Sequence, residues 1–347
     1  MFSFRTTPLE DQMDKALTEG GVGCFCTQNC WDAGRGRYMY DLFRERGNLK
    51  MIFSPEDTEL SPNQCGIAAP AARLRELNAV VVEIQDAGSR YFGYTRDVFR
   101  LMDTMKEIEN APSLYIVDHV NPAGRAVEGT MGSSPKIAHR HGLTLGELAN
   151  LYYNEIGAKF PLHVISFLAT EANRQMMPWT IALSSDIPGF FTCDLYGGGG
   201  LWNGTNVSPG TGTARPYEYI GAPFVRPESP EKLPQAAGAM LRQCSFTPSC
   251  GPYEGRKCYG YQIILEAGEG YHSLLHTLAL MRFFRERYPE FDISGLPALL
   301  DDETLYGYVC GDVSPDDMKE YVKVEEQKWI RKSRKFLLYD NAPYRIK

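Results

Sequence analysis

The sequence predicts an α/β fold: an open parallel sheet with helices on both faces, followed by a smaller α+β domain. Three observations carry this prediction. Through the first half of the chain, short apolar runs alternate with stretches of helical character, the rhythm of a parallel sheet. The run Val80-Val81-Val82 is apolar at consecutive positions, as a strand buried on both faces requires. Three such runs end abruptly in polar clusters, and the carboxyl ends of parallel strands are where open α/β sheets bind ligands.

Each element follows in order. Gly21 to Cys26 reads as the first strand and Tyr38 to Arg46 as a helix. Leu49 to Phe53 is a second strand, ending at Ser54-Pro55-Glu56-Asp57, and Ala71 to Leu77 is a short helix. The Val80 strand ends at Gln85-Asp86, followed by Gly88, Arg90 and aromatic residues. Phe92 to Glu109 suits an amphipathic helix, and Ser113 to Val117 is a fourth strand ending at Asp118-His119-Val120-Asn121-Pro122. Right-handed crossovers would bring these strand ends to one edge of the sheet. Thr144-x-x-Glu147 is a capping box, which assigns Glu147 to a helix N-terminus. Leu195 to Pro223 is rich in Gly, Thr and Asn and reads as a functional loop. Beyond it the pattern predicts a helix over 231–242, a strand over 261–265, a longer helix over 271–288 and a charged, solvated helix over 315–335. At roughly 100–200 residues per domain, the 347 residues divide into residues 1–212 and a smaller unit of 213–347.

Composition excludes several classes. A net charge of −7 without a basic cluster argues against nucleic acid as a partner. No apolar run reaches the ~18 residues of a membrane span. Met1 to Leu17 is polar and lacks a signal-peptide core, so a cytoplasmic location is expected. Nine scattered cysteines fit free thiols in a reducing compartment, and neither a metal nor a cofactor is expected. The glycines at 21 and 23 open a dinucleotide-binding pattern that fails at Cys26. No G-x-S-x-G occurs, and H-E-x-x-H is absent; His139 and His141 flank Arg140 in one H-x-H-like pair.

Read together, a series of segments carries a resemblance. Gly21-Val22-Gly23 is followed by Thr27-Gln28-Asn29-Cys30, then Phe53-Ser54-Pro55-Glu56, then Glu83-Ile84-Gln85-Asp86-Ala87-Gly88-Ser89-Arg90-Tyr91-Phe92-Gly93-Tyr94. Asp118 to Pro122, Val127-Glu128-Gly129, Arg140 to Leu148, Gly204-Thr205-Asn206, Arg215-Pro216-Tyr217-Glu218 and Gly221-Ala222-Pro223 complete it. This series resembles the bacterial exo-β-N-acetylmuramidase family, whose members remove N-acetylmuramic acid from the non-reducing end of peptidoglycan fragments. The resemblance implies a Rossmann-like domain, a smaller C-terminal domain closing a cleft, a peptidoglycan-derived saccharide as substrate, and no cofactor. Three positions depart from the family pattern: Asp57 replaces a histidine, Asn203 a glutamate and Thr211 an arginine.

Cleavage of a glycosidic bond needs an acid for the leaving oxygen and usually a second carboxylate. By family position the resemblance implies Glu56 as general acid. Asp86, taken as the second catalytic carboxylate, and Asp118 are candidates for that role or for holding sugar hydroxyls, with Glu128 in reserve. Asp at a strand end equally well caps a turn. Arg90 suits the lactyl carboxylate of muramic acid, with Arg140 and Arg215 competing and a structural ion pair as the plainer role for each. His141 bonds substrate, shuttles a proton, or is a satisfied structural histidine. Gln85, Tyr94, His119, Asn121, Asn206 and Glu218 are expected to line the cleft, and Trp202 either stacks on a sugar or fills the core. A non-catalytic muropeptide- or sugar-binding protein is the rival reading, motivated by Asp57 and Asn203.

Overall fold

In a computed structural model of the chain, the described residues are 1–5, 7, 9–32, 35–55, 71–166, 181–266 and 270–339. The strands are β1 (Phe2–Arg5), β2 (Val22–Cys26), β3 (Trp31–Asp32), β4 (Arg37–Tyr38), β5 (Leu49–Phe53), β6 (Ala79–Glu83), β7 (Ser113–Val117), β8 (Glu128–Met131), β9 (Ala138–Arg140), β10 (Leu162–Ile165), β11 (Tyr219–Ala222), β12 (Ala239–Phe246) and β13 (Cys258–Leu265). The helices are α1 (Lys15–Thr18), α2 (Asp41–Glu45), α3 (Ala71–Leu74), α4 (Gly93–Lys106), α5 (Leu145–Glu155), α6 (Phe190–Gly199), α7 (Ser273–Arg287), α8 (Leu296–Leu300), α9 (Glu303–Cys310) and α10 (Pro315–Ser333).

Val80, Val81 and Val82 are fully buried, and they sit where the consecutive apolar pattern requires, inside a sheet covered on both faces. Burying each such side chain stabilises the fold by about 1.5–3 kcal/mol. The sheet has six strands in the order β1-β10-β7-β6-β2-β5, every neighbouring pair parallel. Alternation along β6 sends Val81 to one face and Val80 and Val82 to the other. On the Val81 face, Leu17 of α1 and Phe43 of α2 pack with Cys24, Cys26 and Tyr115. On the opposite face, Leu74, Val98, Met102 and Leu148 of α3, α4 and α5 pack with Phe25, Val80 and Ile116. From β2 the chain moves outward to β5, then returns past β2 to β6, so the strand order reverses between β2 and β6. That reversal is the topological switch point, the expected ligand crevice of such a sheet.

The C-terminal part is α+β. Antiparallel strands β11, β13 and β12 form a three-stranded sheet in that order, accompanied by α7 to α10. Its core is continuous with that of the parallel sheet: Leu278, Phe284 and Trp329 belong to the same buried cluster as Val80 and Ile116. The Trp329 indole donates to the His141 carbonyl at 2.8 Å, so α10 is tied directly to the segment after β9.

Several expectations need correction. The supposed loop from Leu195 begins instead as the end of α6, continued by a 3₁₀ turn at Gly200–Gly204. Its glycines permit close helix packing: a Cβ at Gly198 would lie 2.4 Å from the Ser273 backbone at the start of α7. The predicted helix over 231–242 is strand β12 from Ala239 onward, paired along its length with β13. Pro234 and Gly238 disfavour a helix interior there, and the pairing with β13 decides the outcome. The edge strand β1 and its neighbour β10 were not anticipated. The expected helix over Tyr38 to Arg46 shortens to α2, because Arg37–Tyr38 pairs with Trp31–Asp32 in a small hairpin. Among the described residues, no helix is long and apolar enough to cross a membrane.

Candidate active site

The carboxyl edge of the sheet gathers several of the anticipated polar residues, and most of them bond to one another. Just after β6, Asp86 accepts hydrogen bonds from Thr95 Oγ1 at 2.6 Å and the Gly88 amide at 2.7 Å. His141 Nε2 lies 3.0 Å from its Oδ2. Burial alone would push the Asp86 carboxyl up, but His141 and the two hydrogen bonds outweigh it and hold the group below its ordinary value. His141 Nδ1 accepts from the Leu143 amide at 3.2 Å, which places the ring proton on Nε2. Gly88 has a φ of +80°, and a Cβ there would meet Asn121 Oδ1 at 2.4 Å, so only glycine fits this turn. Asn121 is itself fixed, donating to the Leu143 carbonyl at 2.9 Å and accepting from the Ala123 amide at 2.9 Å. Gln85 donates to the Asp86 and Val120 carbonyls at 2.9 and 3.0 Å.

Asp118, after β7, caps α5. It accepts from Thr144 Oγ1 at 2.7 Å, the Gly146 amide at 2.8 Å, the His119 amide at 3.1 Å and the Tyr339 hydroxyl at 2.8 Å. Burial, with the neighbouring Glu147 carboxylate, raises it to about 6 against those donors. The Thr144–Glu147 capping box forms as the sequence predicts, and Glu147 is further clamped by Arg125 at 2.6 and 2.8 Å.

A second cluster joins the two parts of the molecule. Arg140 donates to Glu128 at 2.7 Å, to Asp194 at 2.9 Å and to the Ala123 carbonyl at 3.1 Å. Glu128 also accepts from Ser273 Oγ at 2.6 Å and the Leu274 amide at 2.9 Å, closing the first turn of α7. Arg90 sends its guanidinium to the backbone carbonyls of Thr130, Leu299 and Leu300. Both arginines are thus buried among protein acceptors. Arg215 differs: its side chain is 58% exposed and its ion-pair partner is Glu218 one turn away, at 3.2 Å. Glu218 also accepts from Gln262 at 3.0 Å. Asn206 joins the backbone at Glu290 and Asp292, at 2.7 and 2.8 Å. Tyr94 reaches the Leu183 carbonyl at 3.5 Å. Trp202 is core, against Phe284 and Phe291.

Glu56 and Asp57 lie outside the described residues. Sequence reasoning missed Glu83, the last residue of β6. Its carboxylate lies 3.3 Å from His119 Nε2, both side chains largely buried, and burial raises the carboxyl despite the histidine. The only available signal was a charged residue inside the otherwise apolar run Val80 to Ile84. Among the described residues, no group of three or more His, Cys, Asp or Glu side chains could hold a metal ion.

Comparisons with known proteins agree with this architecture. The N-terminal model of the exo-β-N-acetylmuramidase NamZ family matches residues 67–184, and its C-terminal model matches residues 194–339. Peptidoglycan β-N-acetylmuramidase NamZ of Bacillus subtilis (strain 168) is 28% identical over 234 residues, covering 62% of this chain. The match spans only 56% of that relative's length. Two solved structures share the fold, both DUF1343 family proteins from Bacteroides fragilis NCTC 9343. BF0371 superposes with a TM-score of 0.77 at 20% identity, over 96% of this chain and 97% of its own. BF0379 does so with a TM-score of 0.75 at 21% identity, over 96% and 98%.

Proposed function

The chain belongs to the exo-β-N-acetylmuramidase NamZ family, and on that premise we propose that it is an exo-acting β-glycosidase. Its proposed substrate is a peptidoglycan fragment, from whose non-reducing end it releases N-acetylmuramic acid or a related aminosugar. The supporting observation is the buried Asp86–His141 pair at the carboxyl edge of the sheet, three residues beyond the end of a strand flanking the switch point. The division into a sheet domain of residues 1–212 and a closing unit of 213–347 belongs to the same proposal.

The roles follow from protonation state. A carboxyl held below its ordinary value is ionised at neutral pH and has no proton to give, so Asp86 is not the acid. As an anion it offsets the positive charge that develops at the anomeric carbon, with His141 fixing its orientation. The acid role falls to Glu56, whose proton goes to the leaving oxygen as the glycosidic C–O bond breaks and water supplies the new hydroxyl. The lactyl carboxylate of the sugar needs a cation that protein groups have not already consumed. Of Arg90, Arg140 and Arg215, only Arg215 holds its guanidinium largely in solvent.

The test is hydrolysis of a chromogenic β-N-acetylmuramide beside the matching β-N-acetylglucosaminide. Wild type should release chromophore from the muramide, and Glu56→Gln should lose about 10²–10⁴-fold in rate while staying folded. Retained cleavage by that variant would remove Glu56 from the acid role. Binding of the muramide without turnover by wild type would favour the non-catalytic sugar-binding reading.

A further inference from the structure

Three consecutive residues at the switch point carry polar oxygens that no described residue uses. Thr27, Gln28 and Asn29 follow β2 directly, and Gln28–Cys30 forms a single 3₁₀ turn. Thr27 occupies the residue before that turn, the position where threonine ordinarily caps, yet its side chain makes no capping bond. Thr27 Oγ1, Gln28 Oε1 and Asn29 Oδ1 are all buried and, among the described residues, without a hydrogen-bond partner. Thr27 is fully buried and Gln28 is 2% exposed. The nitrogen ends of both amides are committed. Gln28 Nε2 donates to the Ala182 and Leu183 carbonyls at 3.1 and 3.0 Å, and Asn29 Nδ2 donates to the Ile181 carbonyl at 3.1 Å. Those carbonyls accept only, so they fix which end of each amide is oxygen. The segment 181–183 therefore holds two amide oxygens in set orientations beside an unused hydroxyl.

A buried polar atom without a partner costs free energy, and three on successive residues call for an explanation. Their place in the fold supplies one. They sit at the carboxyl end of the strand beside which the strand order reverses, where open α/β sheets take their ligands. We propose that Thr27, Gln28 and Asn29 form a subsite for the hydroxyl and acetamido N–H groups of the glycosyl residue, a deepening that rests on the proposed saccharide substrate. Two of the three oxygens can only accept, and the strand paired with β2 ends on the carboxylate Glu83. The subsite thus suits a neutral, donor-rich part of a sugar and repels a carboxylate. The substrate lies with its lactyl group pointing away from this turn.

Thr27→Val tests this without changing shape, and Thr27→Ser restores the hydroxyl. Binding of free N-acetylglucosamine and N-acetylmuramic acid to the full chain is measured by calorimetry, alongside thermal unfolding and muramide hydrolysis. The expected result is that Thr27→Val weakens both sugars equally, by about three- to tenfold, and Thr27→Ser does not. Because Oγ1 bonds to no described residue, the valine variant should melt at the same temperature or higher. Unchanged affinities, a fall in melting temperature, or a loss confined to N-acetylmuramic acid would overturn the subsite. Failure of wild type to bind either sugar would overturn it together with the proposed substrate. The other failures separate. Normal hydrolysis with unchanged binding in Thr27→Val leaves the glycosidase reading standing and removes the subsite. Weakened sugar binding in Thr27→Val, from a wild type that hydrolyses nothing, does the reverse.

Discussion

Replacing Arg140 by Met should cost about 3 kcal/mol of folding stability at neutral pH, the lower end of what breaking a buried ion pair costs. The guanidinium is 3% exposed and its partner Glu128 2%. Removing it strands the Glu128 carboxylate in the interior and takes one partner from Asp194 and the Ala123 carbonyl. The lower end applies because Glu128 keeps Ser273 Oγ at 2.6 Å, the Leu274 amide at 2.9 Å and His272 Nδ1 at 3.4 Å. The pH dependence has a definite sign. In the wild type burial acts to raise Glu128, but Arg140, His272 and the two donors leave it below its ordinary value. Its contribution is therefore present above the unfolded-state value of about 4.3 and is lost as pH falls through the lower folded value. In the variant the carboxyl rises, so acid neutralises the stranded charge and the difference from wild type should shrink below neutral pH. Urea unfolding at neutral pH and at about pH 5 measures both effects. A difference under about 1 kcal/mol at neutral pH, with KM raised for the muramide but not for the glucosaminide, would refute the argument. Arg140 would then be a substrate contact and not the joint between β9, α6 and α7.

Two further outcomes follow from burial. Asp118, raised to about 6 chiefly by burial, binds its proton more tightly folded than unfolded, so its contribution to stability is full below its unfolded value near 4 and falls as pH rises through about 6. Urea midpoints taken across that window should show this slope in wild type and not in Asp118→Asn; equal slopes would mean that Asp118 is ionised throughout. Trp202→Ala should cost about 3–5 kcal/mol through the cavity left against Phe284 and Phe291. The folded fraction should keep its muramide kcat/KM, and a selective loss of activity at unchanged stability would return Trp202 to the sugar site.

Local signals carried most of the parallel half. Consecutive apolar residues marked β6 and β7, and the capping box at Thr144 located the start of α5, because each depends only on near neighbours. Elements decided by distant contacts were harder to read. β12 is a strand because β13 pairs along it, and α6 tolerates glycines because α7 approaches closely. The site followed the same division. Residue types and their gathering after β6 and β7 were legible, since strand polarity determines where the ends fall. What each side chain bonds was not. Arg90 and Glu128 look like substrate groups in sequence and serve backbone carbonyls and the α7 terminus in the fold.

This redistribution narrows where substrate chemistry can occur. A group whose hydrogen-bonding capacity is spent inside the protein must break those bonds before it can bind a sugar, and each break costs about as much as the new contact returns. Asn121, Asp118, Arg90, Arg140 and Glu128 are all spent in this way. Among the described residues, groups with capacity left include the oxygens of Thr27, Gln28 and Asn29 beside β2 and the exposed guanidinium of Arg215 beyond the parallel sheet. Two of the three oxygens on one flank can only satisfy donors, and the guanidinium on the other can only satisfy acceptors. A muramyl residue has both, hydroxyl and acetamido groups on the ring and a carboxylate on its lactyl ether. The proposed orientation, which satisfies both flanks, puts the ring against the turn after β2 and the lactyl group toward Arg215. An Arg215→Ala loss confined to the muramide, together with a Thr27→Val loss shared by both sugars, is the pattern this orientation requires.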